Sequence, residues 1–85
     1  MTDSLRIDKW LFFSRFFKSR ALAASMVERG EVSLNGRAIA KSAQGIKPGD
    51  VLVFPTGPKL WRVRVLGLDD RRRSAPEARL LYETF

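Results

Sequence analysis

Residues 6–36 read RIDKWLFFSRFFKSRALAASMVERGEVSLNG, and this stretch decides the fold. In its first half, apolar residues recur at the three- and four-residue spacing of a helix that buries one face. This spacing predicts a helix over residues 5–17, with Ser4 as its N-cap. The predicted buried face consists of Ile7, Trp10, Leu11, Ser14 and Phe17.

The second half of the stretch predicts another helix and a β-hairpin. Ser19 is a favourable N-cap for a helix over residues 20–29, and Gly30 is typical of the residue that ends one. We expect this helix to bury Leu22, Met26 and Val27. After Gly30, apolar and polar residues alternate, and the dipeptide at residues 35–36 (Asn-Gly) is a typical two-residue hairpin turn.

The rest of the chain predicts a small sheet and a short helix. Residues 47–50 (KPGD) indicate a turn before a strand over residues 51–54. We then expect a loop over residues 55–59, a strand over residues 60–66, and a C-terminal helix that ends near Tyr82 and begins with the capping-box pattern SAPE. This order predicts an α+β fold with a small, mostly antiparallel sheet.

Composition narrows the class of partner. The chain of 85 residues predicts one domain, and 16 Lys and Arg against 9 Asp and Glu give a net charge of +7. Such an excess indicates a polyanionic partner, either nucleic acid or an acidic membrane surface. The N-terminal residues carry an acid and no apolar segment, and no apolar run is long enough to span a bilayer, so we expect a cytoplasmic protein.

The sequence offers no equipment for catalysis. It contains no His and no Cys, which excludes disulfides, thiolate metal sites and His-based acid–base chemistry. It has no Gly-rich phosphate loop, and its carboxylates are dispersed. We expect Asp8 to form a local ion pair with Lys9 or Arg15. These observations predict a protein that is not an enzyme and has no metal or cofactor.

The strongest candidate site lies where the two helices meet. Its basic residues occur within a short stretch that contains a single acid: Arg6, Lys9, Arg15, Lys18 and Arg20. Lys18 and Arg20 flank the start of the second helix, where free amides and the helix dipole favour an anion. Ser19 could donate its hydroxyl to the same anion. We interpret the cluster as a phosphate site; the alternative is a solvated face that keeps the protein soluble.

Two further basic groups allow two interpretations each. Asn35 and Arg37 at the hairpin tip either form a good turn and nothing more, or add Arg37 to the anion-binding surface. Three consecutive arginines near the C-terminal helix either bind a second run of phosphates or form a solvated connector beside two aspartates. These arginines are Arg71, Arg72 and Arg73.

Three aromatic residues lie outside the predicted buried face of the first helix. They are Phe12, Phe13 and Phe16. Exposed rings of this kind can stack on bases. The interpretation that we favour is that the C-terminal helix covers them.

Four stretches resemble, in order, the ribosomal protein S4-like RNA-binding domain. They read RIDKWL (residues 6–11), KSRALA (18–23), GEVSLNG (30–36) and KPGD (47–50). Residues 10–12, 15–18 and 71–83 further resemble the heat shock protein 15 family. The resemblance implies a helix–helix–strand motif (the αL motif) over about residues 6–54, with residues 55–85 completing the sheet and adding the C-terminal helix of a single domain, residues 1–85.

The resemblance also implies a function. Family members bind large ribosomal subunits that still carry a nascent chain on tRNA after translation has aborted, as part of a stress response. The implied partners are structured RNA, chiefly ribosomal RNA, and possibly tRNA; we expect a monomer. RNA-binding positions carry over to Lys9, Arg15, Lys18, Ser19 and Arg20. We add Lys41, although this chain departs from the family there: it reads Ala-Lys-Ser at residues 40–42 where members often read Lys-Pro-Ser.

Three other functions fit the composition. The chain could be the RNA-binding remnant of an RNA-modifying enzyme such as a pseudouridine synthase, or a DNA-binding protein, because phosphate contacts alone do not separate DNA from RNA. A basic membrane-surface protein fits less well. Its signature is a helix with one basic and one apolar face, whereas these basic residues straddle a helix junction.

Overall fold

The computed structural model describes residues 4–69 and 74–85. Strand β1 (Leu5–Arg6) leads directly into helix α1 (Ile7–Phe13), so Arg6 and not Ser4 is the N-cap. The prediction of a helix over residues 5–17 is wrong at both ends. The Ser14 hydroxyl donates to the Trp10 carbonyl over 2.6 Å, and Arg15 adopts a left-handed conformation with φ of 68°. This conformation ends α1, since a helix cannot continue through it.

Helix α2 (Arg20–Glu28) begins as the sequence predicts and packs against α1. The Ser19 side chain accepts a hydrogen bond from the Leu22 amide over 3.1 Å, which is the predicted cap. Ala23 and Val27 form its buried face. The prediction that Leu22 is buried is wrong, because it lies beside that face and is 51% exposed.

The sheet contains five antiparallel strands in the order β3-β2-β5-β6-β7. The strands are β2 (Ser33–Leu34), β3 (Arg37–Ala38), β5 (Val51–Thr56), β6 (Lys59–Val65) and β7 (Tyr82–Thr84). β4 (Gly45–Ile46) pairs with β1 in a separate two-stranded sheet. The predicted hairpin is present, with φ of 52° at Asn35 and 84° at Gly36. The predicted loop over residues 55–59 is too long, since only Gly57 and Pro58 separate β5 from β6.

The C-terminal segment differs most from its prediction. Helix α3 (Ala75–Ala78) is followed by a 3-10 helix (Arg79–Leu81), and Tyr82 starts a strand that the sequence did not indicate. The amides of Leu66 and Gly67 both donate to the Leu81 carbonyl, over 2.8 and 3.2 Å, and Tyr82 pairs with Val65. Residues 82–84, which the sequence pattern partly assigned to the helix, therefore pair with the edge of β6 as a strand.

The core lies between the two long helices and one face of the sheet. Its fully buried residues are Ile7, Trp10, Leu11, Ala23, Val27, Val32, Ile46, Leu52, Phe54, Val63 and Val65, with Leu81 at its edge. Trp61 lies on the same face of β6 as Val63 and Val65, while Arg62 and Arg64 are exposed on the other. Three helices and a small antiparallel sheet confirm the predicted α+β fold.

Phe16 packs within a group of rings that we call the aromatic seam: Trp10, Phe16, Phe54, Trp61 and Tyr82. The Phe16 ring centroid lies 4.9 Å from that of Phe54, 5.1 Å from that of Trp61 and 4.6 Å from that of Tyr82. The favoured interpretation, in which the C-terminal helix covers the phenylalanines, is thus wrong about which element covers Phe16. Tyr82 covers Phe16 from a strand.

Over the ranges 4–69 and 74–85, no helix combines the length and the apolar character needed to cross a membrane.

Candidate nucleic-acid interface

A buried carboxylate lies at the start of α1. Asp8 is only 2% exposed. Its two oxygens accept hydrogen bonds from Nε and Nη2 of Arg6, over 3.1 and 2.9 Å, and from the Lys9 amide over 2.8 Å. Nε of Arg20 lies 3.5 Å from Oδ2 of the same carboxylate. The expected ion pair with Lys9 or Arg15 is therefore wrong: the charged partners are Arg6 and Arg20, because α1 packs beside the first turn of α2.

The start of α2 has the features of an anion site. The Ser19 carbonyl accepts from the Ala23 amide over 3.2 Å, and its side chain caps the Leu22 amide. The first amides of a helix have no acceptor within the helix, and the dipole adds positive potential there. Lys18 and Arg20 are exposed on either side of Ser19. Backbone and side chains thus place positive charge at one point of the surface.

The segment that follows the hairpin runs beside the first turn of α1. The Ile7 amide donates to the Gln44 carbonyl over 2.8 Å, and the Asp8 amide to the Ser42 carbonyl over 3.4 Å. The Ser42 hydroxyl also donates to the Glu28 carboxylate over 3.3 Å, which attaches the segment to α2. Lys41 is exposed and directly precedes Ser42. The structure therefore brings Lys41 to the side of α1 where Asp8 lies.

The two predicted residues at the hairpin tip differ: the Asn35 side chain is bonded within the turn, whereas Arg37 is exposed. Asn35 donates to Asp50 Oδ1 over 3.1 Å and accepts from the Val51 amide over 2.8 Å, so its side chain serves the turn. Arg37 is exposed. Together with Gln44 it lines a cleft of about 400 Å³ between the hairpin and the segment after it. Arg37 thus borders the segment that carries Lys41.

The remaining predicted residues are less closely grouped. Lys9 is half-buried on α1, and Arg15 is exposed in the connection between the helices. The arginine run at residues 71–73 lies outside the described residues. Over residues 4–69 and 74–85, no three acidic side chains lie close enough together to hold a metal ion.

Sequence reasoning missed two features. The first is the bridge that Asp8 makes between Arg6 and Arg20; the available signal was an acid two residues after an arginine at a helix start. The second is the packing of Arg62 and Arg64 against the C-terminal residues on the exposed face of β6. There the Arg62 and Arg64 guanidinium carbons lie 4.4 and 4.8 Å from the ring centre of Phe85, and Arg64 binds Glu83.

Comparison with known proteins gives consistent results. The family model of the S4 domain matches residues 5–52. The heat shock protein 15 homolog of Haemophilus influenzae is 39% identical over 79 residues, 93% of this chain and 60% of that protein. The RQC P-site tRNA stabilizing factor of Bacillus subtilis is 38% identical over 76 residues, 89% of this chain and 87% of that protein.

A solved structure matches nearly the whole chain. Heat shock protein 15 from Vibrio cholerae, described as trimeric, superposes with a TM-score of 0.91 at 38% identity, over 96% of this chain and 82% of that one. Heat shock protein 15 from Escherichia coli K12 is 40% identical over 79 residues, 93% of this chain and 59% of that protein. The chain thus spans about three-fifths of the length of the heat shock protein 15 relatives from H. influenzae and E. coli.

Proposed function

This chain belongs to the S4 domain family, and on that premise we propose that it binds structured RNA of the large ribosomal subunit. We propose further that it prefers a subunit that still carries a stalled nascent chain on tRNA, in ribosome rescue or recycling during stress. The resemblance to heat shock protein 15, which the comparisons confirm, supports the ribosomal role. Relatives named RQC P-site tRNA stabilizing factor support the tRNA preference.

The observation that carries the proposal is the position of basic side chains from three segments around the first turn of α1. Arg6 and Arg20 both contact the Asp8 carboxylate, and the segment with Lys41 is hydrogen-bonded to the same turn. We call the proposed RNA-contacting residues the basic surface: Arg6, Lys9, Arg15, Lys18, Ser19, Arg20, Arg37 and Lys41. Positive groups in such an arrangement suit the phosphates of folded RNA.

The proposed mode of action is occupancy and not catalysis. A basic domain without His or Cys has no general base of the common kind and no thiol nucleophile. By holding one RNA conformation it could keep a tRNA in place or exclude a competing factor. We propose that it does so as one domain, as a monomer and in the cytoplasm. A mass measurement by light scattering tests the monomer against the trimer described for the relative from V. cholerae.

Co-sedimentation tests the function directly. The chain is mixed with purified large subunits, small subunits, and large subunits that carry a stalled nascent chain on tRNA. We expect binding to large subunits, stronger when the stalled tRNA is present. Equal binding to both kinds of subunit would reduce the function to general RNA affinity, and binding to small subunits alone would contradict it.

A further inference from the structure

Asp8 is an acid in the middle of a surface whose proposed role is to attract phosphate. Its side chain is 3% exposed, whereas those of Arg6 and Arg20 are 42% and 46% exposed. A carboxylate here lowers the local positive potential, which opposes RNA binding. Burial of an ion pair rarely adds net stability either, because both charges lose water. Its position therefore calls for a role in the geometry of its partners.

The contacts leave each arginine able to bind a second anion. Arg6 gives Nε and one N–H of Nη2 to Asp8, and the pair of bonds fixes the plane of its guanidinium. Arg20 approaches the same carboxylate through Nε. An arginine has five N–H donors, so both guanidinium groups keep N–H groups that Asp8 does not use. Their exposed fractions make these groups accessible to solvent.

We propose that Asp8 is a positioning residue that holds the Arg6 and Arg20 guanidinium groups in the orientation in which they bind phosphodiester oxygens of the RNA. This inference rests on the proposed RNA-binding function. Long basic side chains lose conformational freedom when they bind, and a partner that orders them beforehand reduces that loss. The negative charge of Asp8 lowers the net positive charge of the surface by one unit, but it holds two arginines in fixed positions.

The test uses fluorescently labelled deacylated tRNA, with affinity measured by fluorescence anisotropy. Asp8→Asn removes one negative charge from a chain of net charge +7, giving +8. General electrostatics therefore predicts tighter binding, whereas loss of positioning predicts weaker binding. We expect a loss of roughly five- to 150-fold, the scale of two side chains that must be ordered on binding, and a shallower salt dependence as phosphate contacts are lost.

Glu31→Gln is the matched control. Glu31 binds Arg29 at 3.0 Å, away from Asp8, and the substitution changes the net charge by the same amount. We expect this control to bind tRNA as tightly as the wild type or slightly more tightly. If Asp8→Asn behaves like Glu31→Gln, Asp8 contributes only its charge and the inference is overturned.

A second variant keeps the inference testable if Asp8→Asn does not fold. Arg6→Lys with Arg20→Lys preserves the charge but replaces the planar guanidinium, which binds a carboxylate through two parallel bonds. We expect a similar loss of affinity at an unchanged melting temperature. Full affinity of the double lysine variant would overturn the inference. If the wild type binds tRNA but not large subunits, the proposed ribosomal function fails while the role of Asp8 is still tested.

Discussion

The basic surface and the aromatic seam both include residues of α1 and of the connection to α2, but they are held together differently. In the basic surface, Arg6 and Arg20 are exposed and connected through one buried carboxylate. In the aromatic seam, Phe16 contacts rings from α1, β5, β6 and β7. One region offers charges to a partner, and the other closes the fold.

This difference indicates that binding and stability depend on separate residues. Burial of apolar area dominates folding stability, and exposed charges contribute little to it. Contacts with phosphate depend on exposed Lys and Arg. Substitutions in the seam should therefore change the free energy of unfolding, and substitutions in the basic surface should change RNA affinity. A variant that changed both the free energy of unfolding and the RNA affinity would contradict this distinction.

The largest effect is expected at Phe16. Phe16→Ala removes a ring that packs against four others. We expect the free energy of unfolding to fall by about 3 kcal/mol, the lower end for loss of a core phenylalanine, because Phe16 is half-buried. Urea unfolding followed by tryptophan fluorescence measures this change, since Trp10 and Trp61 both contact the ring. RNA affinity of the folded fraction should be unchanged.

Phe13→Ala is the matched control for Phe16. Phe13 is half-buried, and its ring lies 5.9 Å from that of Phe12. We expect a smaller loss of stability, about 1 kcal/mol. If Phe13→Ala instead keeps full stability and loses RNA affinity, Phe13 stacks on a base and the aromatic residues do not form one structural class.

A smaller effect, on binding and not on folding, is expected at the start of α2. Lys18→Ala with Arg20→Ala should weaken tRNA binding by about 2 kcal/mol, because two charged donors beside the helix amides are lost. The melting temperature should change little. Anisotropy titrations at several salt concentrations measure the loss. If four to six phosphates are contacted, the wild-type log–log slope should be near −3 to −5.

The matched control removes one lysine and one arginine from the sheet. Lys59 and Arg62 are exposed on β6, where each lies over an aromatic ring, so Lys59→Ala with Arg62→Ala changes the net charge equally. A control that binds as weakly as the helix variant would mean that net charge alone determines affinity. The basic surface would then not be a specific RNA-binding site.

Local patterns in the sequence predicted the elements whose causes are local. The Ser19 cap, the Asn35–Gly36 turn and strand β6 each depend on a few neighbouring residues, and all three are present. The placement of positive residues at the α2 start followed from the same cap. Nothing more than periodicity and turn chemistry was needed for these features.

The features that were missed depend on contacts between distant segments. Phe17 continues the apolar spacing of α1, so periodicity placed the helix end too late. The chain instead turns at Arg15, and Phe16, which the spacing put outside the buried face, packs half-buried against the sheet. Strand β7 exists because β6 offers it an edge. The partners of Asp8 depend on how α1 packs against α2, and sequence spacing suggested nearer cations.

The smallest effect is expected at a second buried carboxylate, that of Asp50. Asp8 is proposed to position groups that bind RNA, whereas Asp50 holds a turn in place. Asp50 is 5% exposed and accepts hydrogen bonds from the Lys47 amide over 2.9 Å, from Lys47 Nζ over 3.1 Å and from Asn35 over 3.1 Å. Over residues 4–69 and 74–85, and unlike Asp8, it has one charged partner, Lys47, which is its near neighbour in the turn. It should therefore affect stability alone.

Acid titration tests this role with a definite sign. Burial raises the pKa of Asp50. The hydrogen bonds from Lys47 and Asn35 and the charge of Lys47 together lower it by more than burial raises it, so the pKa lies below its ordinary value. A lowered pKa means that the stabilisation is complete above the unfolded pKa of about 3.9 and is lost as the pH falls through the folded pKa. Asp50→Asn should cost about 1 kcal/mol at pH 7, and its deficit relative to the wild type should shrink below about pH 4. Urea unfolding at pH 7 and pH 3 measures the deficit. A deficit that stays constant between the two, or a loss of tRNA affinity at pH 7, would show that Asp50 resembles Asp8 more than the structure indicates.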